Sequence, residues 1–275
     1  MSTVTAASHR EQRVTVRTLL GRKQRHERFS MLTAYDFAFA RIFDAAGIDV
    51  ILVGDSLGNV VQGLDTTLPV TLDEALYHTR LVCRGVRRAL VVGDMPFGSY
   101  QVSPEDAVRS AIRFVKEGGA HAVKLEGGRG AAAAIERIVA AEIPVMGHVG
   151  LTPQAVHRMG GYRVQGRSAG ERQRVLDDAR AVEAAGAFAV VLEGMPADLA
   201  AEITPSLAIP TIGIGAGPGC DGQVLVMHDL LGLSEWTPSF VKQYANLGAL
   251  TSQAARSFAE EVASGKFPAE EHSYR

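Results

Sequence analysis

DVILVGD, residues 49–55, decides the fold: four apolar residues in an unbroken run, then glycine, then aspartate. A run of that length without polar alternation marks a parallel strand buried on both faces. The phrase recurs as ALVVGD (89–94), AVKLEG (122–127), IPVMGH (143–148), AVVLEG (189–194) and IPTIGIG (209–215). Residues 30–36 and QVLVMHD (223–229) supply a first and an eighth strand.

Between these runs lie alanine-rich segments, 37–46, 72–84, 104–117, 131–141, 168–185 and 197–206, with apolar residues at helical spacing. Thr71 with Glu74 forms a capping box, and Ser103 precedes Pro104 at a first helical turn. Gly47, Gly85, Gly118 and Gly186 stand where helices close. Eight strands alternating with helices, without a linker-like break, predict a closed (β/α)8 TIM barrel, with a doubly wound open sheet as the alternative. The expected organisation is one domain over residues 1–275, with a short polar N-terminal arm and a pair of C-terminal helices over 234–263.

Composition sets the class of partner. The chain has 275 residues, 47% hydrophobic and 21% charged, enough for one large core of the roughly 250 residues such barrels use. A net charge of −2 builds in no broad attraction to nucleic acid or to a membrane, so a small-molecule site is expected. Residues 1–30 carry a local balance of +5, but no aromatic side chains are interleaved for base stacking. They read as a solvated arm with a short helix around 14–22 capping the barrel. Cys83 and Cys220 lack metal or redox spacing, which suits a reduced, cytoplasmic protein. No stretch approaches the ~20 apolar residues of a membrane span, and the polar N-terminus does not read as an export signal.

In such barrels the carboxyl ends of the strands form the active-site face. Asp55, Asp94, Glu126, His148 and Glu193 fall at that position on five predicted strands. Lys124 and Glu126, two apart, point together into the lumen, while Leu125 faces the helices. Converging carboxylates repel unless some are protonated or a cation sits among them, and an all-oxygen shell suits Mg2+ or Mn2+. Taken singly, each residue has a simpler reading as a turn residue, a helix cap, a core histidine or one half of a structural ion pair. Acidic termini on four strands favour a shared site, because capping does not demand that repetition. The glycine-rich segment 213–217 fits a phosphate-binding loop and fits close packing equally well, so no phosphate substrate is inferred from it.

MLTAYD (31–36), VGDSLG (53–58), TTLPVTLDEALYHT (66–79), DMPFGSY (94–100), VKLEGG (123–128), GHVGLTPQ (147–154), GGYRVQGR (160–167), VLEGMP (191–196) and GIGAGPGCDGQVLV (213–226) follow one another along the chain. In this order the sequence resembles the ketopantoate hydroxymethyltransferase family, from about Thr15 to Lys266. The resemblance implies a barrel of the phosphoenolpyruvate/pyruvate class. It implies transfer of a hydroxymethyl group from 5,10-methylenetetrahydrofolate to 3-methyl-2-oxobutanoate through a metal-stabilised enolate, giving 2-dehydropantoate for pantothenate synthesis. It also implies one Mg2+ per subunit and a homo-oligomer, a decamer in the family.

By motif, the resemblance makes Asp55, Asp94 and Glu126 the metal acids. It places Ser56 and Lys124 on the oxo acid, with Asp55 and Asp94 bordering it. Glu193 is the implied proton acceptor and His148 lines the pocket; whether Glu193 or His148 takes the carbon-bound proton stays open at this level. Asn59 and Leu64 depart from the family pattern in the loop after the second strand, which touches loop closure more than metal binding. Two other readings compete: a carbon-carbon lyase of the same barrel class, and a non-catalytic barrel that binds a 2-oxo acid.

Overall fold

The computed structural model describes residues 13–274; residues 1–12, the start of the basic arm, lie outside the described residues. Eight strands close into a parallel barrel in sequence order: β1 (Phe29–Thr33), β2 (Val50–Val53), β3 (Leu90–Asp94), β4 (Ala122–Glu126), β5 (Val145–Gly150), β6 (Ala189–Glu193), β7 (Thr211–Ile214) and β8 (Gly222–Leu225), with β8 pairing back to β1. The helices are α1 (Val16–Gln24), α2 (Phe37–Ala45), α3 (Leu57–Val60), α4 (Leu72–Gly85), α5 (Pro104–Arg113), α6 (Ala132–Val139), α7 (Val156–Met159), α8 (Ala169–Ala184), α9 (Ala197–Ser206), α10 (Met227–Leu231) and α11 (Leu247–Ala263). The open-sheet alternative is excluded by the β1–β8 pairing.

The strand period of two sorts side chains into two cores. Val50, Leu52, Leu90, Val92, Ala122, Met146, Ala189 and Val191 fill the lumen. Val123, Leu125, Val145, Val149, Val190 and Leu192 pack outward against the helices. The Thr71 capping box and the Ser103 cap form as the sequence predicts. Helix α5 ends at Arg113 and continues as a π turn, Phe114–Gly118, which Gly119 closes at φ +77°. That turn seats Phe114 under Gly93, where any Cβ would overlap the ring, so the bare glycine lets the helix layer press against the strand next to Asp94.

Helix α1 plugs the amino end of the barrel. Leu19 and Val14 join the lumen core, Arg22 and Arg88 both hold Asp49 (2.8 Å each), and Lys23 pairs with Asp221 at 2.8 Å. Nearby, the His121 ring accepts the Val91 N–H at 2.9 Å through Nδ1 and touches Arg13. Burial, and then the Arg13 charge, push this imidazole down to about 4. A base whose folded-state value is depressed contributes stability above its unfolded value, and that stability is lost as pH falls through the folded one. Unfolding midpoints are therefore expected to fall between about pH 6.5 and pH 4. His121→Gln should flatten that slope in denaturant melts run across the window.

Two boundaries correct the sequence reading. The expected eighth strand, 223–229, stops at Leu225, and Met227 already begins α10, because a short apolar run does not distinguish strand from buried helix. The expected helix pair over 234–263 is one helix, α11. No helix forms between Leu231 and Leu247: Gly232 takes φ +67° after α10, and Pro238 removes a donor and bars helical backbone at Thr237. The chain divides into two compact units, one ending at Leu225 and one beginning at Val226. No helix among the described residues is long and apolar enough to cross a membrane.

Candidate active site

Strand parity that puts Leu90 and Val92 in the lumen puts Asp94 there too, at the carboxyl end of β3. The same count delivers Lys124 and Glu126 from β4, His148 from β5 and Glu193 from β6. Asp55 lies just past β2, in the turn where Ser56 caps α3. Register sets the pairings: Asp94 stands opposite Lys124, and Glu126 opposite His148. Lys124 Nζ lies 2.7 Å from Asp94 Oδ1. His148 links two acids, with Nδ1 3.5 Å from Glu126 and Nε2 3.1 Å from Glu193. The Asp55 N–H donates to Asp94 Oδ2 at 3.1 Å. The structure thus brings together all the acids and bases the sequence placed at strand ends.

These groups are nearly dry, and burial governs their protonation. The Asp94 carboxyl is pushed up to about 7 by burial, with Lys124 opposing and the Asp55 and Glu126 charges adding to the rise. Glu126 is raised by burial against the pull of His148. Burial alone would lower Lys124, but Asp94, Glu126 and Asp55 more than offset it and hold the ammonium charged. Burial and Lys124 likewise press on His148, yet its contacts with Glu126 and Glu193 keep the ring up at about 9. Lys124 Nζ faces the same Nδ1 at 3.4 Å, and both this contact and the one to Glu126 are longer than a normal hydrogen bond. With the ring held up at about 9 it is charged near neutral pH, so both nitrogens carry protons and Nε2 presents its own toward Glu193.

Sequence reasoning missed two neutral residues that tie the acids together, Gln154 and Tyr100. Both sit inside the motifs GHVGLTPQ and DMPFGSY, but an uncharged side chain carries no local sign of its partners. The Gln154 side chain donates to Asp55 Oδ2 at 2.9 Å, and its backbone N–H donates to Glu126 Oε2 at 3.0 Å. Tyr100 accepts the Glu126 N–H at 3.1 Å and donates to Gln154 Oε1 at 2.7 Å. At the rim, Tyr35 and Ser56 hydroxyls meet at 2.8 Å, and Tyr162 feels the Asp55, Glu193 and Glu126 charges, which add to burial in raising its phenol. The two departures from the family pattern meet each other: Asn59 Nδ2 donates to the Leu64 carbonyl at 2.8 Å and pins the loop after β2.

In the buried lumen Asp94 Oδ1 meets only the Lys124 ammonium, at 2.7 Å, and Glu126 Oε1 meets only His148 Nδ1, at 3.5 Å, so neither oxygen has a neutral hydrogen-bond donor. Carboxylate oxygens placed this way in a dry lumen are hard donors that suit a divalent cation. Among the described residues no three acidic, histidine or cysteine side chains stand as a ready-made ligand cage, because Lys124 and Gln154 space the acids. The fit is to an ion that takes part of its oxygen shell from elsewhere.

In the glycine segment 213–217 a Cβ on Gly217 would overlap Ala197, and the Gly217 carbonyl accepts from Gln223 at 3.0 Å. Cys83 and Cys220 are free, and burial raises both thiols, Cys83 to about 11, so neither is a ready nucleophile for lyase chemistry.

A closed parallel barrel with ionisable groups gathered at the carboxyl ends of β3 to β6 has the layout of a (β/α)8 barrel enzyme, whose active site lies on that face. Solved structures agree on the fold: phosphonopyruvate hydrolase in complex with oxalate and Mg2+ superposes with a TM-score of 0.61 at 14% identity, over 94% of this chain and 92% of that one. A 2,3-dimethylmalate lyase gives 0.59 at 15% identity, over 94% and 91%. Residues 13–270 match the ketopantoate hydroxymethyltransferase family, and the chain belongs to it. The 3-methyl-2-oxobutanoate hydroxymethyltransferase of Pelobacter propionicus is 57% identical over 268 residues, 97% of this chain and 99% of the relative. That of Thermobifida fusca is 59% identical over 262 residues, 95% and 94%. The chain is an enzyme of this family, acting on small molecules in hydroxymethyl transfer to 3-methyl-2-oxobutanoate, a step of pantothenate synthesis.

Proposed function

We propose that the barrel mouth binds 3-methyl-2-oxobutanoate beside one Mg2+ per subunit, removes the C3 proton with Glu193, and bonds that carbon to the methylene unit of 5,10-methylenetetrahydrofolate. Water supplies the hydroxyl oxygen and tetrahydrofolate leaves. The observation that carries this reading is the unbroken set Asp94–Lys124 and Glu126–His148–Glu193 on four consecutive strands at one end of the barrel. Asp55, Asp94 and Glu126 would hold the cation, which supplies Lewis-acid stabilisation of charge at the substrate's keto oxygen.

The chain's own groups do the rest. Lys124, held charged among three acids, offsets the substrate's carboxylate. Ser56, steadied by Tyr35, is placed to give that anion a hydrogen bond. Glu193 is assigned as base because its partner His148 keeps the Nε2 proton and has no lone pair there to offer. His148 orients Glu193 and balances the charge it carries between proton transfers. The chain would act in the cytoplasm as a homo-oligomer, a decamer by family resemblance. Leu250, Phe258 and Val262 on α11 are exposed apolar side chains of the kind an assembly covers.

Hydrogen–deuterium exchange at C3 of 3-methyl-2-oxobutanoate, followed by NMR with and without Mg2+ and tetrahydrofolate, tests this reading. Mg2+-dependent exchange is expected. Tight binding of the oxo acid without any exchange would make the barrel a sensor and end the transferase proposal.

A further inference from the structure

We infer that Gln154 is a positioning residue that sets the spacing of the metal acids and thereby favours a small, octahedral cation. The inference rests on the metal reading above. Gln154 leads into α7 through a 3-10 turn, Pro153–Ala155, and is 6% exposed. Its amide orientation follows from its neighbours. The Met95 carbonyl, 3.0 Å away, can only accept, so Nε2 faces it; the second Nε2 hydrogen goes to Asp55 Oδ2. On the other side Oε1 has two donors, Tyr100 at 2.7 Å and Gln101 Nε2 at 3.2 Å. Tyr100 has to donate there, because its oxygen already accepts the Glu126 N–H and burial raises its phenol far out of the titrating range.

Every polar group of the Gln154 side chain is therefore satisfied, and each bond has one direction. Its backbone N–H closes the ring by holding Glu126 Oε2. One residue thus engages Asp55 and Glu126 at once, acids from β2 and β4, and reaches the Glu126 backbone through Tyr100. What the ring leaves over is Glu126 Oε1, which has no hydrogen bond and meets only His148 Nδ1, 3.5 Å away, as a charge contact. Fixing one oxygen of a carboxylate aims the other, and second-layer partners of this sort are typically worth 10–100-fold in metal affinity. Mg2+ demands near-ideal octahedral geometry, whereas Ca2+ tolerates irregular shells, so loosening the spacing weakens Mg2+ more than Ca2+.

The test uses the full-length protein with the metals alone, Mg2+ and Ca2+, titrated calorimetrically into wild type, Gln154→Met and Tyr100→Phe, with thermal melts on each. Gln154→Met keeps the volume and removes the side-chain bonds, while leaving its backbone N–H on Glu126. Its Mg2+ affinity is expected to fall about 10–100-fold, its Ca2+ affinity by less, with the melt retained; Tyr100→Phe should move the same way by a smaller step. Should Gln154→Met prove unfolded, Tyr100→Phe decides alone. Folded variants with unchanged Mg2+ affinity, or with equal losses for both ions, would overturn the positioning role while leaving the metal reading intact. Variants that all fail to fold would make Gln154 structural and also overturn it. A wild type that takes up neither ion removes the metal reading, and this inference with it.

Discussion

Glu193→Gln is expected to slow turnover, and C3 proton exchange with it, by about 10²–10⁴-fold, the usual contribution of a placed acid–base group. Glu193 Oε2 lies 3.1 Å from His148 Nε2, and with that ring held up at about 9 both its nitrogens are protonated near neutral pH, so the carboxylate is the group with a free lone pair. Its side chain is 19% exposed, which leaves room at the barrel mouth for a substrate proton to reach it. Glutamine keeps the shape and the His148 contact but cannot take the proton. Mg2+ affinity should hold, because Asp55, Asp94 and Glu126 are untouched. Exchange at the wild-type rate in this variant would pass the role of base to another group.

Asp94→Asn should strike Mg2+ binding and turnover together. Asp94 pairs with Lys124 through one oxygen at 2.7 Å and accepts the Asp55 N–H through the other, in a dry lumen. A cation's stabilisation of developing charge is worth several kcal/mol, so turnover is expected to fall by at least about 10²-fold. Removing one member of a buried ion pair commonly costs about 3–5 kcal/mol of stability. A smaller loss is expected here, for two reasons that point the same way. Glu126 and Asp55 still face Lys124, and a carboxyl already pushed up to about 7 is itself an uncomfortable group to bury without a cation. Calorimetric Mg2+ titration beside a urea melt separates the two effects. A variant that binds Mg2+ as wild type does would remove Asp94 from the metal acids.

The sequence carried what depends on local period. Apolar runs of strand length separated by helical segments are enough to call for a parallel barrel, since a side chain's face repeats every two residues on a strand and every 3.6 on a helix. The same period puts Lys124 and Glu126 on one face, and the barrel agrees, with Ala122 in the lumen core and Val123 and Leu125 in the outer one. Charged residues at repeating strand ends marked the mouth, and the family motifs supplied the chemistry.

Tertiary structure decided what depends on register and closure. That Glu126 stands opposite His148, and Asp94 opposite Lys124, follows from how far each strand is shifted against its neighbour, a quantity summed around the whole barrel. The role of Gln154 was invisible for the same reason: a neutral amide gains meaning from partners 28 and 99 residues away. The end of β8 at Leu225 and the single helix α11 were likewise beyond local pattern, because an apolar stretch adopts whichever state its neighbours let it bury. Short-range sterics and hydrophobic period are written residue by residue, whereas the contacts that tune protonation and aim oxygens arise only when distant strands share one lumen.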